Sequence, residues 1–185
     1  MKKKLFAGTA VLVLILLAAI LSSRAFPIQA DGSNLKEQAV SFLNRGSRFP
    51  VEMHMKLYDS VILGKKRFTL MEIGEDLGII RQTRGWNGRY RIDSVGYGGG
   101  NFQEEIVPDG DRRYFLIGGR NACFGIAEIV AALGNRTYRL EVPEGDRFLV
   151  FTEVDAGTAE THVLPDALTF YGRAGEDLTE QVPWN

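Results

Sequence analysis

Two kinds of apolar patterning divide this chain. From Leu5 to Leu21 no position carries a charge, and Lys2, Lys3 and Lys4 stand immediately before the run. From Phe49 onward, short stretches rich in Val, Ile, Phe, Tyr and Thr alternate with Gly-, Asn- and Asp-containing turns, about every eight to twelve residues. The first pattern is that of a Sec-type signal or signal-anchor with its lysines on the cytoplasmic side. At ~1.5 Å per residue the run gives a helix of about 25 Å, slightly short of a ~30 Å hydrocarbon core. Ser22, Ser23 and the aliphatic stems of Lys4 and Arg24 close that gap by snorkelling. The run is also longer than the ~7–15 residues usual in cleavable signals. Two small-x-small sites follow it, Ser23-Arg24-Ala25 and Ile28-Gln29-Ala30. The expectation is a single-pass transmembrane helix over residues 5–21, with the N-terminus in the cytoplasm and the ectodomain outside. Secretion after signal cleavage is the alternative.

Between the two patterns, residues 24–32 read as a polar linker with one proline. A short amphipathic helix should follow. Asn34 with Glu37 three residues on fits a capping box, Leu35, Ala39, Phe42 and Leu43 share one face, and Gly46 supplies the stop. Such a helix packs on a sheet. The remainder reads as antiparallel β-structure, with strands near 50–59, 66–73, 78–86, 89–97, 102–107, 112–118, 126–133, 136–143, 147–154, 167–172 and 178–182. Asn87-Gly88 and Gly134-Asn135 suit two-residue hairpin loops, because Gly and Asn tolerate the positive φ of primed turns. A loop at Gly134-Asn135 pairs Ala131 with Tyr138, Ile129 with Leu140 and Ala127 with Val142 on one face. The other face then holds Glu128 opposite Glu141 and Val130 opposite Arg139. One buried and one solvated side result, as an antiparallel sheet requires.

The fold class is therefore mainly β with one short N-terminal amphipathic helix. Residues 33–98 form a helix plus antiparallel meander (an α+β front part), and residues 99–185 an immunoglobulin-like sandwich or something close to it. The glycine-rich stretch from Gly96 to Gly100 marks the seam. Residues 1–23 are the signal-anchor, and 33–185 as one continuous ectodomain is the alternative division.

Charge refines this picture. The net charge of −1 hides a basic segment over residues 65–91, net +4, and an acidic one over 102–185, net −8. Two parts of one domain that attract each other explain the split without any ligand. Nucleic acid is excluded as a partner by the acidic total, the compartment and the lack of a basic helical stripe. The lone cysteine, Cys123, rules out an internal disulfide, so the ectodomain must be stable through its core. Burial of that thiol as a small apolar filler is the expectation.

No motif implies a cofactor, metal or catalytic centre. Gly96–Asn101 lacks a phosphate-loop pattern, Asp109-Gly110-Asp111 fits no calcium loop and reads as a hairpin turn, and His54 and His162 lie far apart without metal-ligand spacing. The chain also lacks a GxSxG elbow. One constellation stands out. A two-residue loop at Asn87-Gly88 places Trp86 opposite Arg89, Arg84 opposite Arg91, Gln82 opposite Asp93 and Ile80 opposite Val95, all on one face. Opposed arginines repel, at a cost of up to ~1 kcal/mol. An acidic neighbour such as Glu72, water, or an anionic ligand must offset that, and Arg89 over Trp86 would make a cation–π pair. Arg84, Trp86, Arg89 and Arg91 are thus the candidate ligand- or partner-binding residues.

The expected function is a non-catalytic, membrane-tethered extracytoplasmic binding domain whose partner is an envelope protein or an anionic polymer. A cell-envelope hydrolase built on His54 or His162 is one rival. A sensor or assembly subunit of a membrane complex is another.

Overall fold

The computed structural model describes residues 17–48, 53–98 and 100–184. Helix α1 (Leu35–Leu43) precedes ten strands: β1 (Met55–Leu63), β2 (Lys66–Ile73), β3 (Asp76–Arg84), β4 (Tyr90–Gly98), β5 (Phe102–Asp109), β6 (Arg112–Arg120), β7 (Ile126–Leu133), β8 (Arg136–Glu141), β9 (Arg147–Val154) and β10 (Leu168–Gly172). They form three sheets, in the orders β1-β2-β3-β4, β5-β6-β9 and β10-β7-β8, and every pairing is antiparallel. The protein is mainly β, and the glycine-rich stretch falls where the chain leaves the first sheet for the second.

Strand β6 explains the layering. Tyr114 through Gly119 are all buried, although neighbouring side chains of a strand point to opposite faces. Tyr114 and Leu116 join Leu63, Phe68, Leu70, Leu77, Ile79, Val107 and Leu149 in an apolar layer against the four-stranded sheet. Phe115 and Ile117 join Phe102, Ile129, Leu140, Phe148 and Phe170 in a second layer against β10-β7-β8. The middle sheet is therefore covered on both sides. A third layer lies on the far face of the first sheet, where Leu35 and Ala39 of α1 meet Met55, Met71, Ile80 and Tyr90.

Two glycines permit the double burial. A Cβ on Gly118 would lie 2.7 Å from Leu70 Cδ1, and one on Gly119 would run into the Phe102 ring and lie 2.9 Å from Phe148. Aliphatic tips can yield, whereas packed rings cannot.

The gaps between strands follow the turn chemistry. The β7–β8 hairpin has the register derived above, with Ala131 opposite Tyr138, Ile129 opposite Leu140 and Glu128 opposite Glu141. The Val142 amide donates to the Ala127 carbonyl, and Arg139 pairs with Glu128 on the solvated face.

Several expectations are corrected. The predicted strand over 178–182 is instead a 3₁₀ turn, Thr179–Gln181, after a single bridge between Tyr171 and Asp177. Asp177 Oδ1 accepts the Thr179 amide at 2.9 Å, which bends the chain, and Thr179 Oγ1 takes the Phe170 amide that a continuing strand would have used. The capping box does not form, because the Asn34 amide group accepts from the Gln29 N–H and donates to the Pro27 carbonyl. Cys123 is exposed, not buried. It sits in the β6–β7 turn, which Asn121 organises by bonding both the amide and the carbonyl of Ile126.

Residues 24–32 also differ from a simple spacer. Ile28 is fully buried and exchanges two 2.9 Å backbone hydrogen bonds with Tyr90, so the segment is built into the edge of β4. Residues 17–25 are helical, with Leu17, Ile20 and Leu21 exposed. Among the described residues no helix is long and apolar enough to cross a membrane, and Leu5–Leu21 lies outside them except for its last residues, 17–21.

Two outcomes follow for stability. Gly119→Ala should destabilise the fold by about 1–3 kcal/mol through overpacking, with Gly118→Ala costing less; equal losses in denaturant melts would contradict the ring-contact account. Cys123→Ser should leave stability within about 0.5 kcal/mol, and the native thiol should react with a thiol reagent without prior unfolding.

Candidate functional site

The β3–β4 hairpin carries all four candidate residues, but a bulge changes its register. Ile80 faces Val95 and Arg81 faces Ser94 as expected. The pairing then slips by one, so that Gln82 faces Ile92, Thr83 faces Arg91 and Arg84 faces Tyr90. The extra residue is Asp93, whose carboxylate accepts from the Thr83 hydroxyl and, at 3.2 Å, from Arg91 Nε. A one-residue bulge sends subsequent side chains to the opposite faces. Arg84 and Arg91 are therefore not directly opposed, and the predicted repulsion between them is absent.

The loop is correspondingly longer than two residues. The Gly85 amide donates to the Arg89 carbonyl at 2.7 Å, the Asn87 side chain accepts from the Arg89 amide, and Gly88 takes φ +77°. Arg89 points away from the tip and donates to the carbonyls of Phe26 at 2.9 Å and Pro27 at 2.6 Å. Gly85 lies so close to the Phe26 ring that a Cβ there would sit 2.7 Å from it. Asn87 reaches back to the Ser22 carbonyl. The hairpin is thus fastened to residues 22–28, the stretch that follows the apolar run.

Most cations of the basic segment are already committed. Arg67 caps the Ala30 carbonyl and stacks 3.8 Å over the Tyr90 ring. Arg81 Nε meets both oxygens of Glu105 at 2.9 Å, joining the first sheet to the second. Lys66 donates to the Pro108 carbonyl. Lys65 and Arg84 remain exposed, without a carboxylate partner among the described residues, and beside them Trp86 is 77% exposed. Together with Gly64, Gly85 and Gly88 they line a cleft of about 310 Å³. A second cleft, of about 360 Å³, is bordered by Arg24, Ala25, Pro27 and Ile28, and there Arg24, Arg45 and Arg91 converge around Phe42, Gln38 and Ser41. Neither lining includes a carboxylate.

Glu72 does not neutralise this hairpin. It is buried at the far end of β2, where Oε2 accepts from the Tyr58 hydroxyl at 2.6 Å and Oε1 accepts from Arg120 Nε at 3.1 Å and Arg147 Nε at 2.8 Å. Arg120 and Arg147 are directly opposed across β6 and β9. The like-charge pair foreseen at the hairpin thus occurs here instead, with one carboxylate between the two guanidinium groups. Backbone carbonyls of Gly100, Glu75 and Asp146 accept from further donors of the same two groups. The cluster borders a cleft of about 530 Å³ and joins Glu72 of the first sheet to Arg120 and Arg147 of the second, clamping the two together. Burial disfavours the Glu72 carboxylate, yet hydrogen bonds from Tyr58, Arg147 and Arg120 outweigh it and hold the pKa below the usual range. Sequence reasoning missed this clamp. The available signal was parity, because Glu72 shares its strand face with Phe68 and Leu70 and had to find a buried partner.

Elsewhere, His162 Nδ1 lies 3.1 Å from Glu104, with the ring exposed, and His54 is exposed ahead of β1. Asp109 and Asp111 flank a tight β5–β6 turn with Gly110 at φ +62°. Among the described residues no group of three or more His, Cys, Asp or Glu could hold a metal ion. No protein-family model matches the chain, and neither a curated protein nor a solved structure does so.

Glu72→Gln should cost about 3 kcal/mol, the low end for breaking a buried pair, because the Arg120 and Arg147 side chains keep 22% and 21% of their surface in water. A carboxylate with a depressed folded pKa stabilises above its unfolded value of about 4.3, and that contribution is lost as pH falls through the folded pKa. Melts of wild type should therefore weaken on the acid side below about pH 4.3, and Glu72→Gln should lack that part of the slope. An unchanged acid slope would show that Glu72 is not the group responsible.

Proposed function

We propose that this chain is a membrane-tethered extracytoplasmic interaction domain, non-catalytic, which meets an anionic envelope partner at its tethered end. The observation that carries this reading is the construction of residues 26–28. The chain that follows the lysine-flanked apolar run is not loose: Arg89 holds two of its carbonyls, and Ile28 pairs with Tyr90 beneath α1. A segment that serves as the edge of the ectodomain core gives the anchor a defined exit. It also bears on processing. Cleavage after Ala30 would remove Ile28, whose burial is worth roughly 1.5–3 kcal/mol, whereas cleavage after Ala25 would leave the edge intact.

Strand order supports an immunoglobulin-like reading of the outer half. In that sandwich A, B and E share one sheet while F, C and, in some variants, C′ share the other. Strands β5, β6 and β9 take the first three positions, and β10, β7 and β8 take the positions of F, C and C′. The seventh strand is reduced to the short Asp177–Leu178 contact with β10 before the chain crosses to β5, where Trp184 stacks on Phe102.

Fractionation of cells that express the full chain tests the tether. The protein should stay with membranes through high-salt and alkaline washes and be digested by externally added protease. Intact mass should retain residues 26–30. Release into the aqueous fraction with Phe26 as the new N-terminus would establish secretion instead, and protection from protease with the outer face accessible would overturn the topology.

A further inference from the structure

The exit of the apolar run coincides with the part of the surface where cations are left over. Although residues 102–185 carry a net charge of −8, one cleft is lined by Lys65 and Arg84, with Gly85 packed against Phe26, and the other by Arg24, Arg45 and Arg91, with no carboxylate in either lining. Two carboxylates stand just outside the linings: Asp93 offsets Arg91 in part, and that of Asp109 packs against Gly64 of the first cleft. Trp86 projects from the same hairpin at 77% exposure, far more than a soluble surface needs from an indole. Trp and Lys or Arg in combination are the side chains that settle at a bilayer's headgroup level. The anchor helix residues Leu17, Ile20 and Leu21 are exposed at this same end, and Asn87 of the hairpin tip touches the Ser22 carbonyl.

Resting on the tethered reading above, we propose that the two basic clefts seat the anionic headgroups of the membrane that holds the chain, with Trp86 at the boundary between headgroups and acyl chains. The anionic partner is then the lipid surface itself. Position argues for this over a soluble polymer: the segment leading to the tether lines one cleft through Arg24 and touches, at Ser22, the hairpin that lines the other, which brings both within headgroup reach at an effective concentration no diffusing ligand attains. The phosphate of each headgroup accepts from guanidinium or ammonium donors, and Phe42 supplies an apolar wall of the second cleft against which Arg45 stacks. The ectodomain would be held close to the bilayer in one orientation, with the sandwich directed outward.

Trp86 reports on this directly. The chain has two tryptophans, so Trp184→Phe leaves Trp86 as the sole emitter. The full chain with that change is reconstituted into phosphatidylcholine vesicles, with or without phosphatidylglycerol, and into matched vesicles with brominated acyl chains. Flotation verifies insertion. Expected are a blue-shifted emission and bromine quenching that grow with phosphatidylglycerol and weaken with salt. Reversal of both exposed cations, Lys65→Glu with Arg84→Glu, should lower the docked-to-undocked ratio by roughly fivefold or more per cation. Circular dichroism checks that the variant is folded, and Lys65→Arg with Arg84→Lys should restore docking. Solvent-like Trp86 emission in both vesicle types, or quenching indifferent to lipid charge and to the reversal, overturns the proposal while the tether stands. So does a blue shift produced by soluble polyglutamate in neutral vesicles, since the occupant is then a polymer. A chain that fails to float with any vesicle refutes the tether, a separate result.

Discussion

Strand β6 has no solvent face, and the rest of the molecule is arranged to satisfy that condition. A strand buried on both sides needs a sheet on each, and Tyr114, Leu116 and Gly118 on one face and Phe115, Ile117 and Gly119 on the other are matched to different neighbours. The four-stranded meander and the β10-β7-β8 sheet are therefore coupled through the middle sheet. Ion pairs guard the rim of the first of these interfaces: Arg81 with Glu105 at one place, and Arg120 and Arg147 with Glu72 at another. The apolar layer supplies the stabilisation, while the ion pairs fix how the sheets are aligned, since a carboxylate as buried as that of Glu72 tolerates no slippage away from its guanidinium partners.

The same economy explains the charge asymmetry. The basic segment over 65–91 and the acidic remainder meet inside the molecule, where Arg81 bonds Glu105. In a variation on that theme, Glu72 of the basic segment receives Arg120 and Arg147 from the acidic half. Other basic side chains, Arg67 and Arg89, are spent on carbonyls of the segment that enters the domain. What remains is a small basic surface around that entry. Its placement, more than its net charge, is what suggests a role.

The sequence made the strands legible wherever one face is buried and the turn fixes the register. The β7–β8 hairpin is the clearest instance, because Gly134 adopts the positive φ its loop requires and each pair follows from it. The β3–β4 hairpin departs by one residue from the register its loop chemistry predicts, because the bulge at Asp93 leaves no local signature; only the bonds to Thr83 and Arg91 reveal it. Likewise the strand predicted at 178–182 had a plausible pattern but lost to the side chains of Asp177 and Thr179. The candidate site was half visible: Arg84, Trp86 and Arg91 do border surface clefts, Arg89 is structural, and Arg24, Arg45 and Lys65 join only through tertiary contacts that no spacing encodes. The fastening of Phe26–Ile28 was equally hidden, because a short proline-containing stretch reads as linker until Tyr90 is brought beside it.

The central claim is that residues 22–28 are fixed to the sheets, so that under the proposed tether the domain is held by its anchor instead of swinging from it. Electron–electron resonance distances in the full chain within a bilayer test this, with Cys123→Ser removing the exposed native thiol and spin labels at positions 21 and 135, one at the anchor's end and one at the β7–β8 tip. A fastened segment predicts a single narrow distance distribution that broadens when Arg89→Ala frees the Phe26 and Pro27 carbonyls. A broad distribution in the otherwise unaltered protein, unaffected by Arg89→Ala, would contradict it.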